Sequence, residues 1–326
     1  MDFQTFKIGF DPRDKDQVFD YWNEIFANQK WAEGKFTALF EEKWAKWNGI
    51  QAVATSSWSG GAIACMEYFK LKGRKVLCPT NTFMATPLSV VKAGAEVIFA
   101  DCNRADLCLS CDAVTDAAAC HDLAAVWLVH IGGHIAFDTP KIAEFCRRKG
   151  IVLLEDCAHA HGSSWNGQKP GSWGDAGVYS FYATKSISTG EGGILVSKHD
   201  GLIEFAKKFR NYGKFEHAVE GLNFRMSEFT AALGAVQVDR MDQITAWKND
   251  VAKKCLHSQY PNRVKFPDGM VSGYYKYIVF EPIAKSTGKV YDKLCHTIMK
   301  QAGSCPNAEW VTQNHWCVPL YYNPVS

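Results

Sequence analysis

The chain has little of what marks a membrane, exported or nucleic-acid-binding protein. None of its apolar runs approaches the roughly eighteen residues that a membrane-crossing helix needs. Its 36 Lys and Arg nearly balance 34 Asp and Glu, for a formal charge of +2. A chain so balanced offers no electrostatic case for nucleic acid or an anionic bilayer as partner. Residues 1–10 include Asp2 and Lys7 and hold no apolar stretch of leader length, so a cytoplasmic location is the expectation. No internal repeat or low-complexity block breaks the chain, and it carries neither a Walker phosphate loop nor a G-x-G-x-x-G fingerprint. With no export signal, the twelve cysteines, scattered through segments that read as core, are expected as reduced thiols and not as a disulfide framework.

What is there fits an ordinary globular chain. The 326 residues suffice for one large core and a smaller second domain, and 47% hydrophobic with 21% charged residues excludes a disordered chain. Apolar runs at 52–55, 75–78, 96–100, 125–130 and 151–155 alternate with helical patterns at 61–71, 82–93 and 140–149. The runs AAVWLVH and GIVLLED are apolar on both faces, as strands covered by helices on two sides require. Strand–helix alternation predicts a parallel α/β sheet. Two further strands, 177–181 and 193–197, flank a glycine-rich loop. Residues 227–254 read as one long helix, whole or broken, with Ser227 as its N-cap. Beyond Pro261 and Pro267 a small α+β unit is expected, with a strand near 275–280 and a helix near 291–302. The division predicted is a large domain over 1–245 and a small one over 246–326.

Four segments carry chemistry. Glu155-Asp156-Cys157-Ala158-His159 closes a buried strand, at the edge where open α/β sheets place ligands. A carboxylate there can hold a cationic ring nitrogen, although Asp is also common as a cap or turn residue. Lys185 lies between an aromatic strand, Tyr179-Ser180-Phe181-Tyr182, and a turn with Gly190, Gly192 and Gly193. Most isolated lysines are solvated charges, but partial burial beside an apolar strand would free this amine for imine chemistry. Ser56-Ser57-Trp58-Ser59-Gly60-Gly61 joins a strand to a helix whose first N–H groups could receive a phosphate. Asn223-Phe224-Arg225-Met226-Ser227 leads into the long helix.

In this order, and with the 29-residue step from Asp156 to Lys185, these segments resemble the DegT/DnrJ/EryC1/StrS family of sugar aminotransferases. The resemblance runs from about Trp31 to about Arg240 and thins beyond. It implies the type I fold of transferases dependent on pyridoxal 5'-phosphate (PLP): a mostly parallel central sheet flanked by helices, with a smaller C-terminal α+β domain. It implies that Lys185 holds PLP as a Schiff base and that Asp156 pairs with the pyridine nitrogen. His159 falls where the family has Gln or His near the phenolic oxygen. Phe83 matches the aromatic stacked on the ring, Ser180 the serine on the phosphate, and Asn223 the asparagine reaching the phosphate of a neighbouring subunit. A homodimer with shared active sites follows from that last match. Ser59 and Gly60 align with the Gly-Thr of the family's phosphate turn, a departure that keeps backbone donors and loses a threonine hydroxyl. The implied activity is transamination of a nucleotide-linked keto sugar in deoxyamino sugar biosynthesis, with glutamate as donor.

Other readings remain open on the residues. The family's dehydrase branch has His in place of the lysine, so Lys185 speaks against it. A PLP-binding regulatory or sensor protein would share the pocket without turning over sugar. Cys108 and Cys111 form a C-x-x-C with Cys102, Cys120 and His121 nearby, but a second tight pair is lacking and no metal is expected. His130 and His134 read as loop histidines with satisfied hydrogen bonds. The chain ends at Val325-Ser326, shortly after a Cys317-Val318-Pro319-Leu320 stretch that precedes a final helix in the family. Either the chain is naturally short or its end is missing; a missing last helix would leave an apolar face of the small domain uncovered unless an oligomer covers it.

Overall fold

The computed structural model describes residues 6–323, so Asp2 and the terminal Val325-Ser326 lie outside the described residues. In chain order the elements are α1 (Lys15–Asn28), α2 (Lys35–Asn48), β1 (Gln51–Thr55), α3 (Trp58–Tyr68), β2 (Lys75–Pro79), α4 (Ala85–Lys92), β3 (Glu96–Ala100), α5 (Cys111–Cys120), β4 (Leu123–Val129), α6 (Thr139–Lys149) and β5 (Val152–Asp156). They continue with β6 (Ser164–Trp165), β7 (Ala176–Ser180), β8 (Gly193–Ser197), α7 (Asp200–Phe209), α8 (Glu228–Val238), α9 (Met241–Val251), β9 (Met270–Val271), β10 (Tyr277–Val279), α10 (Cys295–Ile298), α11 (Pro306–Gln313) and β11 (Trp316–Val318).

Seven strands form one sheet in the order β1-β8-β7-β5-β4-β2-β3. Neighbours from β7 to β3 run parallel, and only β8 runs against its two partners. This is the mostly parallel sheet that the sequence predicts. The period of two in each strand divides the core. Val53, Ala125, Trp127 and Val178 pack on one face with α3, α4 and α7. Ala54, Tyr179 and Val196 pack on the other with α2 and α8, and Leu77, Val126 and Leu128 with α5 and α6. Both faces are therefore buried, which explains why β4 reads as an unbroken apolar run.

Differences from expectation lie where side chains outside the local pattern intervene. The 227–254 segment, read as one helix whole or broken, is broken: α8 and α9 part at Asp239-Arg240. There the Arg240 guanidinium turns to Asp14 (2.7 Å) and Asp239 to Lys43 (2.5 Å), so the chain bends between two ion pairs. Ser227 caps α8 as read, its Oγ accepting the Thr230 N–H. The expected 245/246 division falls inside α9, and Val264, Ile278, Ala308 and Val311 share one core with Leu77 and Val126 of the sheet. The helix expected at 291–302 shrinks to α10. Its would-be first turn is drawn inward: the Cys295 N–H donates to Thr80 O (2.9 Å) and Tyr291 stacks on His159. Among the described residues no helix is long and apolar enough to cross a membrane.

Candidate active site

A cavity of about 620 Å³ opens along the sheet edge formed by the carboxyl ends of β1, β2, β5 and β7 and the start of β8. Asp156, His159, Ser180, Lys185, Ser59 and Phe83 all line it, although 126 positions of chain separate Ser59 from Lys185. The parallel strands do this work, since their ends project loops to one side.

Asp156 is the last residue of β5 and is buried. Its Oδ1 accepts the Ala158 N–H (3.0 Å), so the turn role open to an Asp at this place is real. Its Oδ2 accepts the Thr86 hydroxyl (2.8 Å), supplied by α4. Burial lifts its pKa above the ordinary range, against the Ala158 amide, Thr86 and the charge of Lys185. None of the ion pairs among the described residues includes it. A carboxylate in that condition favours a cation brought into the cavity.

Lys185 sits in the turn beyond β7, where its N–H donates to Tyr182 O (2.9 Å). Its Nζ lies 4.9 Å from the centre of the Tyr275 ring. Burial brings its pKa down to about 8, with Asp156 opposing and Lys276 adding to the fall. At neutral pH a useful fraction of this amine is therefore unprotonated, as a nucleophile requires. His159 packs flat on Tyr275, ring centres 4.1 Å apart, with Tyr291 parallel to it at 5.8 Å. Burial, then the charges of Lys185 and Lys276, hold its pKa well below the usual value. The imidazole is thus neutral, and its Nδ1 accepts the Gly132 N–H (3.4 Å), which puts the ring proton on Nε2.

The turn between β1 and α3 opens toward the same cavity. Ser57 caps the helix, its Oγ accepting the Gly60 N–H (3.4 Å), and Ser57, Trp58 and Ser59 face the space. The turn can lie this close to β8 because Gly193 has no side chain: a Cβ there would stand 2.3 Å from Ser57 O. Ser180 ends β7 and lines the same cavity, so hydroxyls and the start of a helix share it with Asp156. A helix N-terminus and a carboxylate in one cavity can receive a ligand that carries both a phosphate and a cation.

Two expected residues stand apart. Gly60 does not line the cavity; its N–H is spent on Ser57, and a Cβ would meet the Phe224 side chain at 2.9 Å. Asn223 also lies off the cavity wall, on an exposed loop where its backbone pairs with Asn211 and its Oδ1 accepts the Arg225 N–H (3.3 Å). Phe83 is 66% exposed at the cavity mouth. Sequence reasoning missed Thr86, Ser57 and Tyr291. Thr86 had a signal in its place four residues after Thr82 on an expected helical face, and Ser57 in the strand-to-helix turn that it shares with Ser59; Tyr291 had none.

His130 and His134 behave as read. His130 Nε2 meets Glu155 Oε2 (2.9 Å) and its Nδ1 accepts the Ala136 N–H, while His134 Nε2 meets Asp106 O (3.0 Å). Cys108 comes together with Asp106 and His134, not with Cys111, and the Asp106 carboxylate is already engaged by the Cys108 and Phe137 N–H groups.

A profile of the DegT/DnrJ/EryC1/StrS aminotransferase family matches residues 12–259. Among curated relatives, a GDP-perosamine synthase of Vibrio cholerae is 32% identical over 231 residues, 68% of this chain and 62% of the relative. The chain thus spans less than two thirds of that protein's length. Among solved structures, the aminotransferase TlmJ from Streptoalloteichus hindustanus is 27% identical, with a TM-score of 0.87 over 98% of this chain and 94% of that one. A DegT DnrJ EryC1 StrS aminotransferase from Brucella abortus shares the fold at a TM-score of 0.89 over 95% of this chain and 91% of that one, with 20% identity.

Proposed function

The chain belongs to the DegT/DnrJ/EryC1/StrS aminotransferase family, and from that premise we propose that it is a PLP-dependent enzyme that moves an amino group from glutamate to a nucleotide-linked keto sugar. The observation that carries the reading is the pairing, in one cavity, of a half-buried amine lowered to about 8 with a buried carboxylate that lacks a cation. The residues present fit the cofactor on this ground. Lys185 would hold its aldehyde carbon, Asp156 its ring nitrogen, and Ser59, Ser180 and the first N–H groups of α3 its phosphate. Phe83 and His159 would bound the ring.

When bound, PLP supplies an electron sink that lets an amino acid lose its α-proton. The chain's own part is to place charges and protons. Asp156, anchored by Thr86 and Ala158, keeps a proton on the nitrogen it faces, because an opposite charge at close range favours the cationic form. The Lys185 amine, once free, takes the α-proton as general base and returns it as general acid. A pKa near operating pH serves both directions. Neutral His159 offers its Nε2–H as a donor without adding positive charge beside Lys185. The exposed Asn223 loop supports a dimer in which that residue serves a partner's site.

The test is a half-reaction. Purified chain loaded with PLP is mixed with glutamate, and the loss of the yellow chromophore is followed alongside the release of 2-oxoglutarate. The reading expects both, and expects Lys185→Ala to abolish both. A protein that binds PLP yet stays inert toward glutamate and other amino donors would mean a binding function instead.

A further inference from the structure

Resting on the reading of Lys185 given above, we infer that Lys248 is a positioning residue for the Lys185 amine, joining the loop that bears Lys185 to the segment that bears Tyr275. Lys248 lies on α9, is 5% exposed, and belongs to none of the ion pairs among the described residues. Its Nζ instead donates to three neutral oxygens: Tyr274 O (3.1 Å), Ser186 Oγ (3.2 Å) and Gly273 O (3.5 Å). These use all three donors of the ammonium. Burying an unpaired ammonium is costly, and lysine is almost never hidden without a partner. Here burial brings the pKa down to about 8, with Lys276 adding to the fall.

What the molecule gains is a joint between two strips of chain that meet at the active amine. Ser186 directly follows Lys185, and Tyr274 directly precedes Tyr275. The Lys185 Nζ stands 4.9 Å from the Tyr275 ring, and Tyr275 OH meets Thr184 Oγ1 at 3.2 Å. The backbone supplies a second, independent observation. Tyr274 has a φ of 42°, a left-handed conformation that is strained for a non-glycine residue and persists only where its surroundings enforce it. Ser272 Oγ accepts its N–H (3.0 Å) and Lys248 takes its carbonyl. Gly273 and Lys276 on either side donate to Gly133 O (2.7 Å) and Gly132 O (2.8 Å). The groups that face Lys185 electrostatically are Asp156 from β5, His159 and His161 from the turn after it, and Lys276 from the segment of Tyr275. Lys248 has no such direct contact with Lys185. It acts through place: without it, Tyr274 relaxes, the Tyr275 ring leaves the amine, and water returns to Lys185.

Amine labelling tests this without the cofactor. Trace acetylation of the whole chain across a pH series, followed by peptide mapping, gives the titration midpoint of Lys185. In Lys248→Met that midpoint should rise by about one unit, leaving about tenfold less free amine at neutral pH. Ser186→Ala should shift it in the same direction by less, and Ser186→Thr, which keeps the hydroxyl, should leave it in place. A urea melt of each variant is read alongside. Lost stability with an unmoved midpoint in Lys248→Met and Ser186→Ala means a merely structural lysine and overturns the inference. Should Lys248→Met fail to fold, the Ser186 pair decides alone. Borohydride trapping of wild-type chain with PLP is run in parallel: absence of a pyridoxyl group on Lys185 refutes the proposed function, while the labelling midpoint still decides the role of Lys248.

Discussion

Glu155, the neighbour of Asp156, provides a quantitative test of how the site is held. Its carboxylate is buried and accepts four donors: the N–H groups of Gly171 (2.8 Å), Trp173 (2.8 Å) and Gly174 (2.7 Å), and His130 Nε2 (2.9 Å). The Ala136 N–H donates to His130 Nδ1 (3.1 Å), which places the imidazole proton on Nε2, pointing at Glu155. Glu155→Ala leaves four donors unmet, those of Gly171 and His130 buried and those of Trp173 and Gly174 half-buried. At about 1–3 kcal/mol for each buried donor, these two alone cost about 2–6 kcal/mol, and the half-buried pair adds to it. A domain is stable by only about 5–15 kcal/mol, so this variant should barely fold. Glu155→Gln is the measurable case. One oxygen can still serve Trp173 and Gly174, but the new amide turns a donor toward Gly171 N–H. His130 can adapt only by moving its proton and orphaning the Ala136 N–H. One or two donors are lost, for about 1–6 kcal/mol. Urea unfolding followed by tryptophan fluorescence, with unchanged slope and a lowered midpoint, reads the difference. A Glu155→Gln chain within about 0.5 kcal/mol of wild type, the range of an ordinary surface change, would refute this account of the strand end.

Other outcomes follow from the same geometry. Asp156→Asn removes the anion that opposes the fall of the Lys185 pKa, so the Lys185 midpoint, near 8 in the wild type, should drop further, and glutamate turnover should fall by two or more orders of magnitude in a stopped-flow half-reaction. An equal midpoint and near-normal turnover would remove Asp156 from the scheme. Gly133 has a φ of 101°, and a Cβ there would stand 2.3 Å from Tyr275 N, so Gly133→Ala should lower the melting temperature and weaken PLP binding together. Thr86→Val keeps the shape of α4 but takes a hydrogen bond from a buried carboxylate. It should cost about 1–3 kcal/mol of stability and raise the PLP dissociation constant in a fluorescence titration.

The sheet was legible because burial on two faces leaves little choice of residue. The run predicted at 125–130 is β4, displaced by two residues at its start and one at its end, and the strands at 96–100 and 193–197 coincide with β3 and β8. Asp156 and Lys185 could be singled out because each stands where a strand stops and a polar residue interrupts an apolar pattern. The contacts that finish the cavity were not legible. Thr86 hydroxyl reaches across 70 positions to Asp156. Tyr291 arrives from a segment whose sequence reads as helix, and the helix gives way because its first residues bond the loop after β2 instead. Lys248 reads as one more charge on an amphipathic helix, and only the packing of α9 against the Lys185 loop shows that it points inward. Local pattern reports burial and period; which side chain meets which across the chain is set by tertiary packing.

The most direct measurement is the position of the covalent label. Chain saturated with pyridoxal phosphate, reduced with borohydride, digested and weighed by mass spectrometry should carry a stoichiometric pyridoxyl group on the peptide holding Lys185, and none there after Lys185→Ala. Label scattered over surface lysines in wild type and variant alike would contradict the account.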